Sequence, residues 1–232
     1  MSLGGGTLII PLLTEWIGLD RHRARGTAMA LAGITAAAGA FIYGSRGHVQ
    51  WSTLLWTGVP AALIAPWAAR LSLHWSDLVL RRLLGAILLA GSIALLFHPG
   101  PGNGFAIHWP WLWLVGTGII AGALAGIVGI SGGPILAPLF VLGLGMPQQL
   151  AQGSSLNARL PAVIAGVIED QREGLVAWRL LPLLAAGDLV GIWAGAHLAL
   201  ALPEQQLRAL FALLLLLLGL HELGGRSRHL HR

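Results

Sequence analysis

The sequence contains no cysteine and no lysine, and charged residues make up only 10% of its 232 residues. Without cysteine there can be neither a disulfide framework nor thiol chemistry. Soluble domains carry about 25% charged residues, so the charge available here cannot cover a water-exposed surface. The scarcity of charge therefore excludes a soluble globular protein.

Apolar residues dominate instead, at 56% of the chain, with a mean hydropathy of +0.76. A helix that crosses the roughly 30 Å of hydrocarbon needs about 20 such residues in a row. Runs that reach or approach this length lie near 26–44, 51–71, 79–97, 111–129, 180–201 and 206–223. A further run at 150–168 is polar in its first half, and 7–14 and 134–143 are too short to cross. We therefore predict an all-α polytopic membrane protein.

An internal repeat organises these runs. A shift of 127 positions without gaps brings unusual residue types into register: Gly5-Gly6 on Gly132-Gly133, Pro11 on Pro138, Gly18 on Gly145, Gly26 on Gly153 and Trp51 on Trp178. Matches of glycine, proline and tryptophan in one register indicate a duplication. We predict a first repeat at 1–97, a linker at 98–110, a second repeat at 111–223 and a basic tail at 224–232.

The first repeat lacks a counterpart of the run at 111–129, so its first helix is expected to be missing. Of two explanations, a chain that starts late and a protein that works with an incomplete first half, we expect the late start. An apolar run of about 20 residues encoded upstream of Met1 would support this expectation.

The fourteen arginines predict the orientation of the copies. Loops of the first copy that are rich in arginine correspond to loops of the second copy that are poor in it, and the bias alternates along each copy. Because arginine-rich loops stay in the cytoplasm, the copies are predicted to be inverted, with the linker external and the tail cytoplasmic. The arginines thus reflect membrane orientation, and we expect no nucleic-acid partner. Inverted repeats are a transporter architecture with the substrate between the repeats.

Glycine clusters near the start of each copy are the first candidate site. Broken helices with glycine expose backbone N–H groups and the positive end of a helix dipole, which suit an anion. The alternative is close packing of helices through small residues. The candidate residues are Gly5, Gly6 and Thr7 in copy one and Ser131, Gly132 and Gly133 in copy two.

The second candidate lies in the polar half of 150–168 and its counterpart Thr27. Ser154 and Ser155 could donate hydrogen bonds to an oxyanion or cap their own helix. Asn157 and Arg159 follow; in a helix that begins near Leu150, Arg159 lies roughly 13 Å along it, inside the hydrocarbon. An arginine there predicts contact with an anionic substrate, although snorkelling or a protein carboxylate are alternatives.

Asp188, in LLAAGDLVGIW, is the other ionisable residue within an apolar run. It could carry a proton or neutralise Arg159. The nine histidines show no ligand spacing, so we expect no metal site and no cofactor. The expected partners are a small anion and the lipid bilayer, and the sequence leaves a homo-oligomer open.

These motifs resemble the sulfite exporter TauE/SafE family of bacterial membrane transporters. The resemblance rests on LGGGTLIIPLLTEWIGLDRHRARGTA and GIVGISGGPILAPLFVLGLGMPQQLAQGSS, each with a glycine box, a proline and an A-x-G-[ST] element. It implies an inner-membrane carrier that exports sulfite or related small organosulfur anions, and no enzymatic activity. Copy one has Ala28 where the family often has serine.

Two other functions compete. Gly129-Ile130-Ser131-Gly132 fits the pattern of rhomboid-type intramembrane serine proteases, with His197 or His221 as the base. The repeat argues against it, because Ser131 corresponds to Gly4 in a box that occurs twice. A membrane assembly factor without transport is the other alternative.

Overall fold

The helices follow the apolar runs of the sequence. The computed structural model describes residues 13, 17–72, 77–97, 102, 109–128 and 133–224, and these ranges hold helices and connections without a strand. The helices are α1 (Arg21–Ser45), α2 (Val59–Ser72), α3 (Asp77–Phe97), α4 (Pro110–Val128), α5 (Gly133–Leu144), α6 (Gln148–Ala158), α7 (Leu160–Arg172), α8 (Leu181–Ala201) and α9 (Glu204–Gly224). A π-helical turn, Leu54–Gly58, precedes α2.

The prediction of an all-α membrane protein is confirmed. Within the described ranges, three helices are long and apolar enough to cross a bilayer, His22–Ser45, Leu181–Ala201 and Glu204–Gly224, and four shorter apolar helices accompany them. In hydrocarbon every backbone N–H and C=O group must find its partner within the protein, and helices satisfy this requirement segment by segment.

Helix boundaries recur at the offset that the sequence repeat predicts. The same shift of 127 positions carries the start of α1 onto the start of α6 and the end of α1 onto the end of α7, and it carries α3 onto α9. The left-handed glycines recur too: Gly18 corresponds to Gly145, and Gly47 to Gly174, all with φ between 63° and 75°. The backbone thus repeats at the turns as well as in the helices.

Contacts between the two copies are reciprocal. The backbone N–H of Ala177 donates to the Thr27 hydroxyl at 3.0 Å, and the N–H of Gln50 donates to the Ser154 hydroxyl at 2.9 Å. Each residue of the first bond is the repeat counterpart of one residue in the second. Such an exchange of roles is what a two-fold relation between the copies produces.

The packing of α3 against α9 shows the same relation. Gly85 lies against Gly219, while Ser92 donates to the Ala212 carbonyl at 2.7 Å, so the two helices run antiparallel. These two contacts are again repeat-related.

Two apolar clusters hold the helices together. One joins α3, α4, α5, α6 and α9 through residues that include Leu88, Phe140 and Phe211. The other joins α1, α6, α8 and α9 around Tyr43 and Leu156. Helix α6 belongs to both clusters, which places its polar residues in the interior.

Helix α4 belongs to the second copy, where it precedes the glycine box, and it packs closely against the first copy. An added Cβ at Gly118 or Gly122 would lie 2.4 Å or 2.5 Å from the carbonyl oxygen of Thr57 or Ala61. Glycine therefore allows the backbone of α4 to touch the π-helical turn and α2. The second copy's glycine cluster falls between α4 and α5, and residues 129–132 are outside the described ranges, as is most of 98–110 and of the tail.

Candidate functional site

Polar side chains concentrate in the interior along α6 and at its end. They are Gln148, Gln152, Ser154, Ser155, Asn157 and Arg159, each at most 2% exposed. Burial of a polar group without a hydrogen bond costs about 1–3 kcal/mol in proteins, so six such side chains need partners or a function. This segment is the candidate site.

The run at 150–168 is not one helix. Helix α6 ends at Ala158 and α7 begins at Leu160, so Arg159 occupies the junction. Proline at position 161 lacks the N–H that would continue the hydrogen-bond ladder, which accounts for the break. The helix begins at Gln148, two residues before the expected Leu150, and Arg159 keeps helical dihedral angles at its end, with φ −82° and ψ −13°.

Arg159 lies near the midpoint of the combined span of α6 and α7. Its side chain is 2% exposed, and the Asp188 carboxylate of α8 interacts with it electrostatically. The hydroxyl of Thr35, near the middle of α1, donates to that carboxylate. A carboxylate of copy two therefore contacts a hydroxyl of copy one, each near the middle of its helix.

The π-helical turn of copy one faces this junction. An added Cβ at Gly58 would lie 2.4 Å from the carbonyl oxygen of Ala158 and 2.9 Å from Pro161. The corresponding stretch of copy two, at the start of α8, is regular α-helix. Single π turns within helices occur often at functional sites. The widened turn and the helix break thus lie against each other, and both depart from the repeat.

The predicted hydroxyl residues already have partners in the protein. The hydroxyls of Thr27 and Ser154 accept the two reciprocal bonds between the copies, and Thr53 donates to the Ser154 carbonyl at 3.2 Å. Ser155 donates to the Gln152 carbonyl at 2.8 Å. The sequence offered two interpretations for Ser154, an anion donor or a cap of its own helix. In the structure its hydroxyl instead accepts a hydrogen bond from the other copy.

Asn157 and Gly133 also have defined positions. The Asn157 amide lies 3.5 Å from the Thr53 hydroxyl, while its Oδ1 accepts no hydrogen bond from the described part of the chain. Gly133 is the first residue of α5 and is buried. The remaining glycine-box candidates, Gly5, Gly6, Thr7, Ser131 and Gly132, lie outside the described residues.

Sequence reasoning missed the two glutamines of α6. Gln148 and Gln152 recur with Ser155 and Arg159 at intervals of four, three and four residues, which is one face of a helix. The Tyr43 hydroxyl donates to Gln152 Oε1 at 3.0 Å. The interval of four between two amides, continued by Ser155 and Arg159 on one helix face, was the available signal.

The histidines proposed as a protease base lie apart from this cluster. His197, on α8, has its Nδ1 2.8 Å from the Trp193 carbonyl oxygen, and His221 is exposed near the end of α9. Within the described ranges no three metal-ligating side chains come together. Between α1 and α7, the Arg25 guanidinium lies 3.6 Å from the Asp170 carboxylate.

A cavity of about 510 Å³ lies elsewhere, along α4 and against Leu139 of α5. Its lining is Trp109, Leu112, Trp113, Gly116, Thr117, Ile120 and Leu139. With one hydroxyl and no ionisable group, this lining suits a lipid chain better than an anion.

The sequence is similar to a known protein family and to bacterial membrane transporter proteins. A family model described as Sulfite exporter TauE/SafE matches residues 1–221. The chain is 26% identical over 215 residues to the Probable membrane transporter protein YdhB of Bacillus subtilis, covering 90% of this chain and 87% of that protein. It is 24% identical over 225 residues to a Probable membrane transporter protein of Xylella fastidiosa (strain Temecula1), covering 94% and 86%. No solved structure is significantly similar to it.

Proposed function

Because the chain belongs to the sulfite exporter TauE/SafE family of membrane transporters, we propose that it exports a small anion, sulfite or a related organosulfur anion. The transported anion binds between the two copies, at the junction of α6 and α7. The protein is a transporter and not an enzyme, so the protease alternative is set aside.

The buried guanidinium of Arg159 is the observation that carries this proposal. An arginine inside the membrane is costly and marks a substrate or ion pathway. Its planar fork of donors fits the oxygens of a sulfur oxyanion in a bidentate manner. Asp188 supplies a counter-charge while no anion is bound, and the anion competes with that carboxylate for the guanidinium.

Alternating access of two inverted copies is the proposed mechanism. The alternating arginine bias supports the inversion, and so does the antiparallel packing of the repeat-related helices α3 and α9. A two-fold axis that exchanges these two antiparallel helices is perpendicular to them, so it lies in the membrane plane if the helices cross the bilayer. Transporters built in this way hold their substrate near the midplane and rock one repeat against the other. Arg159, near the middle of its span, fits that position.

Proton coupling through Asp188 extends the proposal. Its carboxylate accepts from the Thr35 hydroxyl and interacts electrostatically with Arg159, so protonation would release the guanidinium to the anion. An Asp188→Asn variant should still carry the anion but lose the dependence of flux on a proton gradient. Equal stimulation of the variant and the wild type by the gradient would remove this role.

The membrane proposed is the bacterial inner membrane, with the C-terminus in the cytoplasm. The tail carries Arg226, Arg228 and Arg232, and positive residues stay on the cytoplasmic side. A reporter that is active only in the periplasm, fused after residue 232, should stay inactive.

Efflux of labelled sulfite from loaded proteoliposomes tests the function. Arg159→Ala should abolish efflux, whereas Arg172→Ala, at a side chain that is 74% exposed, serves as the matched control and should not. Ser154→Ala should reduce efflux, because it loosens the interface between the copies. Efflux that is equal in all variants would reject the site, and no efflux of any sulfur anion by the wild type would favour the assembly-factor alternative.

A further inference from the structure

We propose that Gln148 and Gln152 form a second binding position for the transported anion, on the side of Arg159 toward the start of α6. The inference rests on the proposed function, since it concerns the path that the same anion takes. The two amides would receive the anion as it leaves the guanidinium, or hold it before it arrives.

Burial without hydrogen bonds is the first observation. Both side chains are 0% exposed. In the part of the chain that the structure describes, neither amide atom of Gln148 has a hydrogen-bond partner, and neither does Nε2 of Gln152. Buried amides in proteins are almost always satisfied, so two unsatisfied amides one turn apart call for an explanation. A ligand that accepts hydrogen bonds supplies one.

Alignment with the arginine is the second observation. Gln148, Gln152, Ser155 and Arg159 share one face of α6 and its end. At about 1.5 Å per residue, Gln152 lies roughly 10 Å and Gln148 roughly 16 Å from Arg159 along the axis. The polar face therefore extends from the midpoint of the span to the end of the helix.

Weak donors suit a position that must release its ligand, and the Glu204 carboxylate, which accepts from the Gln148 backbone N–H at 2.7 and 2.9 Å, weakens anion binding there further. Amide N–H groups solvate an oxyanion without a net positive charge, and conduction requires binding that is weak enough to permit exit. Tyr43 sharpens this arrangement: its hydroxyl donates to Oε1 of Gln152 at 3.0 Å, which leaves Nε2 to face the anion. Tyr43 is thus a positioning residue.

The repeat shows that these amides are particular to copy two. The positions that correspond to Gln148 and Gln152 in copy one are Arg21 and Arg25. Arg25 contacts Asp170, and that contact corresponds to the bond between Gln152 and Tyr43. One end of the interface between the copies therefore carries a partly exposed ion pair, while the other carries a buried neutral pair.

The test is transport kinetics of labelled sulfite in proteoliposomes, together with thermal unfolding in detergent. The Gln148→Leu/Gln152→Leu double variant should raise the half-saturation concentration about tenfold or more, because each lost bond to a charged group weakens binding by that order. Its unfolding temperature should fall by less than that of Gln149→Leu, because leucine removes three unsatisfied amide atoms as well as the acceptor of the Tyr43 hydroxyl.

Gln149 provides the matched control on the same helix. Its Nε2 donates to the carbonyls of Ala199, Leu200 and Leu202 at 3.2–3.3 Å, so its amide is structural. Gln149→Leu should lower the unfolding temperature and leave the half-saturation concentration unchanged. A double variant that behaves like Gln149→Leu would overturn the inference.

Two milder variants decide the outcome if the double variant folds poorly. Tyr43→Phe removes one hydroxyl and should raise the half-saturation concentration a few-fold, and Gln152→Glu, nearly isosteric but anionic, should abolish sulfite flux. Wild-type flux with unchanged kinetics in both variants overturns this inference and leaves the proposed function standing. No sulfite flux by the wild type removes both.

Discussion

Replacement of Gly153 by alanine perturbs a close backbone contact between the two copies. An added Cβ would lie 2.0 Å from the carbonyl oxygen of His48 and 2.7 Å from the Cβ of Tyr43. Both are backbone or near-backbone atoms, so no flexible side chain can move aside. At the counterpart Gly26, an added Cβ would lie 2.8 Å from the Leu175 carbonyl oxygen, so the repeat-related contact is less tight.

The magnitude follows from three contributions. Overpacking of a closed interior costs about 1–3 kcal/mol, and separation of the backbones would also strain the Ser154 bond, worth about 1 kcal/mol. Alanine's better helix propensity offsets up to about 1 kcal/mol. We expect Gly153→Ala to lower the free energy of unfolding by roughly 1–3 kcal/mol, and Gly26→Ala by somewhat less.

Gly187→Ala is the matched control, because a Cβ there meets no described atom within 4 Å. This substitution should leave stability unchanged or raise it by up to about 1 kcal/mol. Equilibrium unfolding of the three variants in mixed micelles, followed by helical circular dichroism, measures the differences. If Gly153→Ala is as stable as Gly187→Ala, the glycine of the A-x-G-[ST] element does not serve contact between the copies.

Three further groups of substitutions probe polar contacts between helices, two of them between the copies. Ser154→Ala and Thr27→Ala each leave a backbone N–H without its acceptor and should lower the free energy of unfolding by about 1–3 kcal/mol. Ser154→Thr and Thr27→Ser keep a hydroxyl and should retain most of that stability. Unfolding midpoints of the four variants measure the differences. The two carboxylate oxygens of Glu204 accept from the first N–H of α6 at 2.7 and 2.9 Å. Glu204→Ala should therefore lower the free energy of unfolding by about 0.5–2 kcal/mol, and an unchanged unfolding midpoint would contradict its capping role. A double-mutant cycle on Arg25 and Asp170 should give a coupling below about 1 kcal/mol, because the arginine is 55% exposed; a value above 2 would contradict it.

The helices and the repeat could be predicted because composition and spacing determine them. Apolar runs set the helix positions, and the glycines that match in the register of the repeat mark the turns and close approaches. Gly26 and Gly153 are a case in point. Both were visible as a repeated element, and both turn out to touch the other copy's backbone.

The role of the neighbouring hydroxyls could not be predicted, because it depends on the other copy. Ser154 and Thr27 follow these glycines, and from one stretch of sequence their oxygens are equally suited to a ligand or a cap. Only the fold brings the N–H groups of Gln50 and Ala177 to them. The same holds for Thr35, which shares no sequence signal with Asp188 yet donates to it.

Arg159 was identified from the sequence, but its setting was not. An arginine in an apolar run is conspicuous, whereas the helix break depends on how Pro161 is accommodated, since proline can also begin a helix or only kink one. The π-helical turn opposite it carries no distinctive sequence. Both departures from regular helix lie where the copies differ in sequence, which is also where the anion is proposed to bind.

Binding of sulfite to the purified protein in lipid nanodiscs, measured by calorimetry, tests the central claim most directly. The wild type should bind one sulfite per chain, and Arg159→Gln should bind it at least about tenfold more weakly, because a hydrogen bond to a charged group is lost in a buried site. Arg172→Gln should bind as the wild type does. Equal affinity of the wild type and Arg159→Gln would contradict an anion site at the junction of α6 and α7.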